Sequence, residues 1–165
     1  SEFKVKQMFF SDSRVSETKK YDDHDRTKKG DLSFIYKGVE IRVESKSLQS
    51  TLVKKENGIW SGVFQCDASD RRKVTLPTGN TVETTCLLVG EFDLVAVNLF
   101  AFGGHWRFAF AKNIDLPRTT YKKYKEEDRK YLLSSSIKIT WPLQPPFVED
   151  PFKLLDEIVE EKLRR

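Results

Sequence analysis

The feature that most constrains this fold is a strict alternation over residues 39–44, where every second residue is apolar and the others are charged. A period of two places successive side chains on opposite faces of an extended strand. One row is then available for the core and the other for a polar surface. Lys37-Gly38 before this stretch is typical of a tight turn, so residues 32–36 are predicted to fold back as the first strand of a hairpin.

Three residues at the ends of this hairpin carry chemistry. Glu44 and Lys46 lie on the same face of the second strand, roughly 6 to 7 Å apart, and Asp31 opens the first strand beside them. Two converging carboxylates repel each other unless a cation lies between them, and hard oxygen ligands suit Mg²⁺ or Mn²⁺. A lysine next to such a metal can orient or deprotonate an attacking water. The pattern indicates phosphodiester hydrolysis.

Asp31 followed by Glu44-Ser45-Lys46 across a short hairpin resembles the PD-(D/E)xK nuclease superfamily, which includes restriction and repair nucleases. The resemblance covers about residues 30–50, and Gly30 stands where the superfamily's name has proline. It implies that Asp31 and Glu44 bind Mg²⁺, with Mn²⁺ as a substitute, and that Lys46 assists the water. The implied activity is a metal-dependent endonuclease acting on double-stranded DNA, of restriction or repair type. The alternative is a surface hairpin with solvated charges.

Further site residues are expected around this hairpin. The superfamily sometimes adds an acidic ligand from the preceding element, which implies Glu17 as an extra ligand. Gln65 and Asp67 lie at the end of a predicted strand over 59–66, where polar residues can build a site. For Asp67, a turn with mutually neutralising charges is the favoured interpretation.

Basic residues in the predicted loops are expected to contact a DNA backbone, and for Arg71 and Arg72 a turn with mutually neutralising charges is an equal alternative. The net charge of +4 favours a polyanionic partner only modestly. These residues are Arg26, Lys28, Lys54, Lys55, Arg71, Arg72 and Lys73. Two alternatives stay open. One is a noncatalytic nucleic-acid-binding module in which the trio forms structural ion pairs, and the other is a protein-interaction domain that uses its C-terminal helix.

The order of predicted elements indicates an α+β fold, with a mixed central β-sheet flanked by helices and compatible with a restriction-endonuclease-like core. Residues 4–165 are expected to form a single domain, and Ser1-Glu2-Phe3 is typical of a remnant of cloning. The superfamily places a helix before the aspartate-bearing strand, yet only a short apolar run precedes Asp31. We therefore expect that helix to be irregular or lost with an upstream recognition domain. A homodimer would suit a two-fold duplex.

Several local patterns make separate predictions. Gly103-Gly104 predicts a tight hairpin, residues 124–134 predict a helix, and Asp150-Pro151 predicts the start of a terminal amphipathic helix. Trp106, Phe108 and Phe110 share one strand face. Such a stripe can stack on bases, but core packing is the favoured interpretation.

The two cysteines, Cys66 and Cys86, are far apart and have no metal-type neighbours, so neither zinc nor a disulfide framework is indicated. Reduced cysteines favour a cytoplasmic protein. No apolar run approaches the ~20 residues that cross a bilayer, so no membrane partner is expected.

Overall fold

The computed structural model describes residues 2–20 and 31–165, and within these ranges a mixed β-sheet forms the centre of the fold. The strands are β1 (Val15–Lys20), β2 (Leu32–Tyr36), β3 (Val39–Ser47), β4 (Lys54–Glu56), β5 (Ile59–Gln65), β6 (Asp67–Thr75), β7 (Thr81–Cys86), β8 (Leu94–Asn98), β9 (Phe108–Lys112) and β10 (Ser136–Trp141). The helices are α1 (Glu2–Phe10), α2 (Glu126–Arg129) and α3 (Phe152–Leu163), with 3₁₀ turns at Ser50–Leu52 and Asn113–Asp115.

The central sheet has the strand order β1-β2-β3-β8-β9. Its pairs are antiparallel except β3 and β8, which run parallel with Glu44 opposite Val95 and Lys46 opposite Val97. A three-stranded sheet, β10-β5-β4, and a β6-β7 ribbon complete the strands of the described ranges. The predicted α+β class with a mixed central sheet is therefore confirmed.

The two faces of the central sheet are covered by different layers. One face packs against α1 and α3 through Val5, Phe9, Ile41, Val43, Leu94, Ala96, Leu155, Ile158 and Val159. The other face packs against β5 and β10 through Val95, Val97, Ala109, Ala111, Phe64, Ile137 and Ile139. Since residues in register on adjacent strands share a face, Glu44 and Lys46 point away from the helices, toward β5.

The predicted hairpin is present. Tyr36 pairs with Val39, and the two turn residues Lys37 and Gly38 both have left-handed φ values of 49° and 77°. That conformation matches the right-handed twist of the flanking strands, and glycine adopts it without a steric penalty. The alternation in β3 is confirmed as well, because Ile41 and Val43 are completely buried while Glu40 is exposed.

A backbone bridge joins the two sheets just beyond the hairpin. Leu48, directly after β3, pairs with Phe64 of β5 in an antiparallel bridge, and the amide of Gln49 donates to the carbonyl of Val63 at 2.9 Å. Extending this register places Cys66 opposite Lys46. The polar end of β3 is thereby covered on one side by the end of β5.

Two expected local structures are wrong. In residues 124–134 only α2 is helical, because Leu132 and Leu133 are extended and bury their side chains in two different clusters. Around Gly103-Gly104 there is no tight hairpin, since β8 ends at Asn98 and β9 begins at Phe108. The intervening loop is closed by a bond from the Leu99 amide to the Arg107 carbonyl at 2.9 Å.

The N-terminal helix is regular, contrary to expectation. Val5 and Phe9 are one helical turn apart and both are completely buried against the sheet. The terminal helix is confirmed, but its first helical residue is Phe152 rather than Pro151. The Asp150 carboxylate accepts a 3.0 Å hydrogen bond from the Phe152 amide, and α3 begins at Phe152. Among the described residues, no helix is long and apolar enough to span a bilayer.

Candidate active site

Glu44 and Lys46 meet at the end of β3 on the face that lies toward β5. They are two residues apart on an extended strand, so their side chains emerge on the same side. The Lys46 amine lies 3.3 Å from Glu44 Oε1, and the two side chains are only 16% and 15% exposed. The pair is therefore largely shielded from bulk water, and a small fraction of each side chain stays accessible.

Asp31 is held beside this pair by the backbone of the neighbouring strand. Its amide donates to the Val43 carbonyl at 2.8 Å, which continues the β2–β3 ladder by one residue. Its carboxylate oxygen Oδ2 accepts a 2.7 Å hydrogen bond from the Ser45 amide. The Asp31 carboxylate is thus fixed to the residue between Glu44 and Lys46, as the sequence predicts for the hairpin.

The environment raises the pKa of Glu44 to about 7. Burial is the largest cause, and repulsion from the Asp31 carboxylate adds to it, with a smaller contribution from Glu91. The Lys46 ammonium acts in the opposite direction but does not cancel these effects. A bound cation would relieve the repulsion between these two carboxylates in a site that is largely shielded from water.

Lys46 is oriented by a second contact. Its amine donates to the Asp67 carbonyl oxygen at 3.1 Å, so the ammonium lies between the Glu44 carboxylate and the start of β6. The buried Cys66 thiol lies close by, and burial raises its pKa to about 12, with Lys46 opposing and Glu44 reinforcing the change. Cys66, next to Lys46, is therefore a neutral thiol at neutral pH.

Gln65 and Asp67 lie at the rim of the site. The Gln65 carboxamide oxygen accepts from Gln49 Nε2 at 2.8 Å, and its nitrogen lies 3.5 Å from the Asp67 carboxylate. Gln65 is exposed and reaches the site through Asp67, whose carbonyl binds Lys46. The favoured interpretation of Asp67 as part of a turn is wrong, because Asp67 begins β6 and its carbonyl oxygen accepts from Lys46.

Glu17 lies apart from the trio. It occupies the bulge of β1 between Ser16 and Lys19, with a φ of 49°, and its side chain is exposed. The register places this bulge two strands from β3, level with Glu40 to Arg42 rather than with Glu44. The fold therefore does not bring Glu17 together with Asp31 and Glu44.

The predicted DNA-contacting residues separate into three groups. Lys54, Lys55, Arg71 and Lys73 are exposed on β4 and β6. Arg72 is half-buried and binds Glu91 through both terminal nitrogens, and it also donates to the Cys86 carbonyl at 3.2 Å. Arg26 and Lys28 lie outside the described residues.

Glu91 is the site neighbour that sequence reasoning missed. It is 9% exposed, accepts from the Leu88 amide at 3.1 Å, and contributes to the raised pKa of Glu44. Its position three residues before the buried strand β8 is the one local signal available. Its proximity to Glu44 depends on the parallel pairing of β3 with β8, which joins residues about fifty positions apart. No local sequence pattern predicts that pairing.

The donor set fits a hard divalent cation. Asp31 and Glu44 supply two carboxylates, and within the described parts of the chain no group of three or more His, Cys, Asp or Glu side chains is placed to hold a metal ion. Mg²⁺ keeps several of its waters and is usually bound through one or two carboxylates. A closed structural zinc site needs four protein ligands. The residues present therefore suit a partly hydrated Mg²⁺ or Mn²⁺.

No protein-family model matches this chain, and no curated protein matches it. Among solved structures, the bacterial homing endonuclease I-Ssp6803I is similar over 79% of this chain and 80% of that chain, at 18% identity and a TM-score of 0.39. A likeness at this level does not assign the chain to a family.

Proposed function

We propose that this protein is a metal-dependent endonuclease that hydrolyses phosphodiester bonds in double-stranded DNA, of restriction or repair type. The observation that supports the proposal is the meeting of Asp31, Glu44 and Lys46 at one end of β3. The fold joins two acids that repel each other with a lysine whose amine is held by a backbone carbonyl. A purely structural ion pair needs only one acid.

Each residue has a distinct role in this proposal. Asp31 and Glu44 hold the cation, which supplies Lewis acidity and charge neutralisation to a phosphodiester. Glu44 must give up its proton to bind, because its pKa is raised to about 7 in the metal-free site. Lys46 orients the attacking water and offsets charge on the phosphate oxygens. Its contact with the Asp67 carbonyl fixes where the ammonium lies.

The remaining assignments extend this proposal to partners. Four exposed basic residues provide cations for the DNA backbone. Lys54 and Lys55 lie on β4, which pairs with the start of β5, and Arg71 and Lys73 lie on β6, which follows the end of β5. Mn²⁺ substitutes for Mg²⁺ because both prefer oxygen ligands. A homodimer would place two such sites on a two-fold duplex, and an upstream domain would supply sequence recognition.

A noncatalytic nucleic-acid-binding module is the second candidate. It is favoured by the contacts of Lys46 with Glu44 and with Asp67, which also satisfy the lysine as a structural residue. The two candidates differ in what Lys46 does for cleavage. They agree on binding, because the exposed basic residues serve both.

The test is cleavage of plasmid and genomic DNA, methylated and unmethylated, with Mg²⁺, Mn²⁺ or EDTA. Wild type is compared with Asp31→Asn, Glu44→Gln and Lys46→Ala. Lys138→Ala and Glu83→Gln are matched controls, since these exposed strand residues lie on β10 and β7. We expect metal-dependent cutting by wild type and controls and none by the site variants. Unimpaired cutting by Lys46→Ala would contradict the assignment, and binding without cutting would favour the second candidate.

A further inference from the structure

All three tryptophans of the chain contact or belong to one loop, residues 99–107 between β8 and β9. Trp60 stacks on Phe102 with ring centroids 5.8 Å apart, and Trp106 packs on Phe100 at 4.6 Å. The Arg107 guanidinium lies 4.4 Å from the centre of the Trp141 ring. We call residues 99–107 the aromatic loop.

The loop is held in shape by its own backbone. Leu99 donates to the Arg107 carbonyl at 2.9 Å, and Gly104 donates to the Phe100 carbonyl at 2.8 Å. The Phe100 amide donates to the Asn98 side chain at 2.8 Å. Gly103 and Gly104 have φ values of 84° and 79°, a conformation that favours glycine. The aromatic rings are therefore presented on a preorganised frame.

Two of these rings are open to solvent. Phe100 is 42% exposed and Trp106 is 49% exposed, although their rings pack against each other at an interplanar angle of 34°. Phe110, in the same predicted stripe as Trp106, is buried in the core against α1 and α3. Core packing thus accounts for the strand part of the stripe, and it leaves the Phe100–Trp106 pair unexplained.

Cations lie over the tryptophans. The Lys4 amine is 5.3 Å from the Trp106 ring centre, and the Lys55 amine is 5.1 Å from that of Trp60. Together with Arg107 on Trp141, each indole of the chain has a basic side chain on it. A surface that combines aromatic rings with positive charge is complementary to a nucleic-acid strand, which offers both bases and phosphates.

The loop lies at the same end of the sheet as the candidate active site. Since β3 and β8 are parallel, Lys46 is level with Val97 and Ser47 with Asn98. Phe100 follows Val97 by three residues, which corresponds to about 10 Å along the chain. Lys46 points toward β5, whereas Trp106 lies under Lys4 of α1, so a DNA strand whose phosphate lies at Lys46 reaches the loop by passing around this end of the sheet.

We propose that Phe100 and Trp106 form a stacking platform for an unpaired base next to the cleaved bond. The substrate class is then duplex DNA that contains unstacked nucleotides near the site. This inference rests on the proposed nuclease function and narrows it. Stacking on an aromatic side chain tolerates any base, because every base has a π-face.

The experiment measures binding in EDTA, so that cleavage does not interfere, at one fixed salt concentration. Labelled probes are a matched duplex and the same duplex with a short bulge of unpaired thymidines. We expect wild type to prefer the bulged duplex. Trp106→Leu and Phe100→Leu should lose about tenfold on that probe and little on the matched one. Trp106→Phe, which keeps an aromatic face, should retain most of the preference.

A fluorescence titration tests whether the bulged probe contacts Trp106, and its result does not depend on whether the leucine variants fold. Addition of the bulged probe should quench tryptophan emission in wild type, and this quenching should fall in Trp106→Phe while its affinity is kept. Unchanged quenching in Trp106→Phe, or equal affinity of wild type for both probes, would overturn the platform. So would sedimentation showing that Trp106→Leu converts a dimer to a monomer, which would make the pair a subunit contact.

Failure of the platform is distinguishable from failure of the nuclease proposal. If wild type cuts matched DNA and Trp106→Leu neither alters cutting nor changes preference for the bulge, only the platform is wrong. If wild type binds neither probe and cuts no DNA with Mg²⁺ or Mn²⁺, both proposals are wrong.

Discussion

The Ser45 amide donates a 2.7 Å hydrogen bond to the Asp31 carboxylate, and this bond joins the beginning of β2 to the polar end of β3. It fixes one acid against the strand that carries the other acid and the lysine. The same carboxylate contributes to the raised pKa of Glu44. A single hairpin therefore positions two carboxylates and a lysine together, and it brings the carboxylates close enough to repel each other unless a cation lies between them.

Asp31→Asn should keep the fold and lose the metal. The amide oxygen of asparagine can still accept from the Ser45 amide, whereas one negative charge next to Glu44 is gone. We expect Mg²⁺ to raise the melting temperature of wild type but not of Asp31→Asn. Asp31→Ala should in addition lose about 1–2 kcal/mol of stability, because the Ser45 amide loses its acceptor. Glu83→Gln, which changes an exposed acid on β7, is the control for charge alone.

Glu44 should make the metal-free protein less stable as the pH rises. Its pKa is about 7 when folded against an ordinary value of 4.5, so the folded state holds the proton more tightly. Its stabilising contribution is full below pH 4.5 and is lost as the pH rises through 7. Relative to Glu44→Gln, wild type should lose about 3 kcal/mol across this window. Denaturant unfolding in EDTA measures the loss, and a constant difference between the two proteins would contradict it.

Lys46→Ala should impair cleavage by a factor of about 10² to 10⁴ if the amine acts on the water. The same change removes the positive charge that lowers the pKa of Glu44. The pH at which Mg²⁺ begins to stabilise the protein should therefore move upward. Measuring the cleavage rate and the pH dependence of stabilisation by Mg²⁺ distinguishes a role of Lys46 in the cleavage step from a role in metal binding. Lys138→Ala should change neither, since Lys138 is an exposed residue on β10.

Substitution by alanine should destabilise the protein much more at Arg72 than at the adjacent Arg71. Arg72→Ala removes both bonds to Glu91 and leaves that acid buried without its cation, so we expect a loss of about 2–3 kcal/mol. Arg71 is exposed, and Arg71→Ala should change stability by less than about 0.5 kcal/mol.

The same two variants should also differ in their affinity for DNA. Arg71→Ala should weaken binding on all sequences and reduce the slope of log K against log salt by about one. Denaturant melts and salt titrations of the pair measure both effects. A stability loss in Arg71→Ala as large as that in Arg72→Ala would show that the two side chains have been assigned to the wrong environments.

Local patterns were sufficient for the hairpin and for the identity of the candidate site. The alternation in β3 and the Lys37-Gly38 turn are short-range features, and they already place Asp31, Glu44 and Lys46 at one end of two paired strands. The residue types of the trio then limit the chemistry. Metal binding and catalysis by these residues stay predictions that the experiments above address.

Long-range pairing decided the rest. A helix is not formed at Leu132 and Leu133 because their side chains enter two separate clusters, which no local propensity encodes. The approach of Glu91 to Glu44 and of the aromatic loop to the end of β3 depends on the parallel pairing of β3 with β8. The role of Arg72 depends on which acid the fold brings to it.

The sequence by itself thus determined which side chains alternate inward and outward, where the chain turns, and which three residues could share a metal and a phosphate. The tertiary structure alone decided how deeply those residues are buried, and hence the raised pKa of Glu44. It also decided which arginine is exposed, and which aromatic residues remain at the surface. The physical reason is that alternation and turn propensity act over a few residues, whereas burial and ion pairing depend on neighbours that only the folded chain supplies.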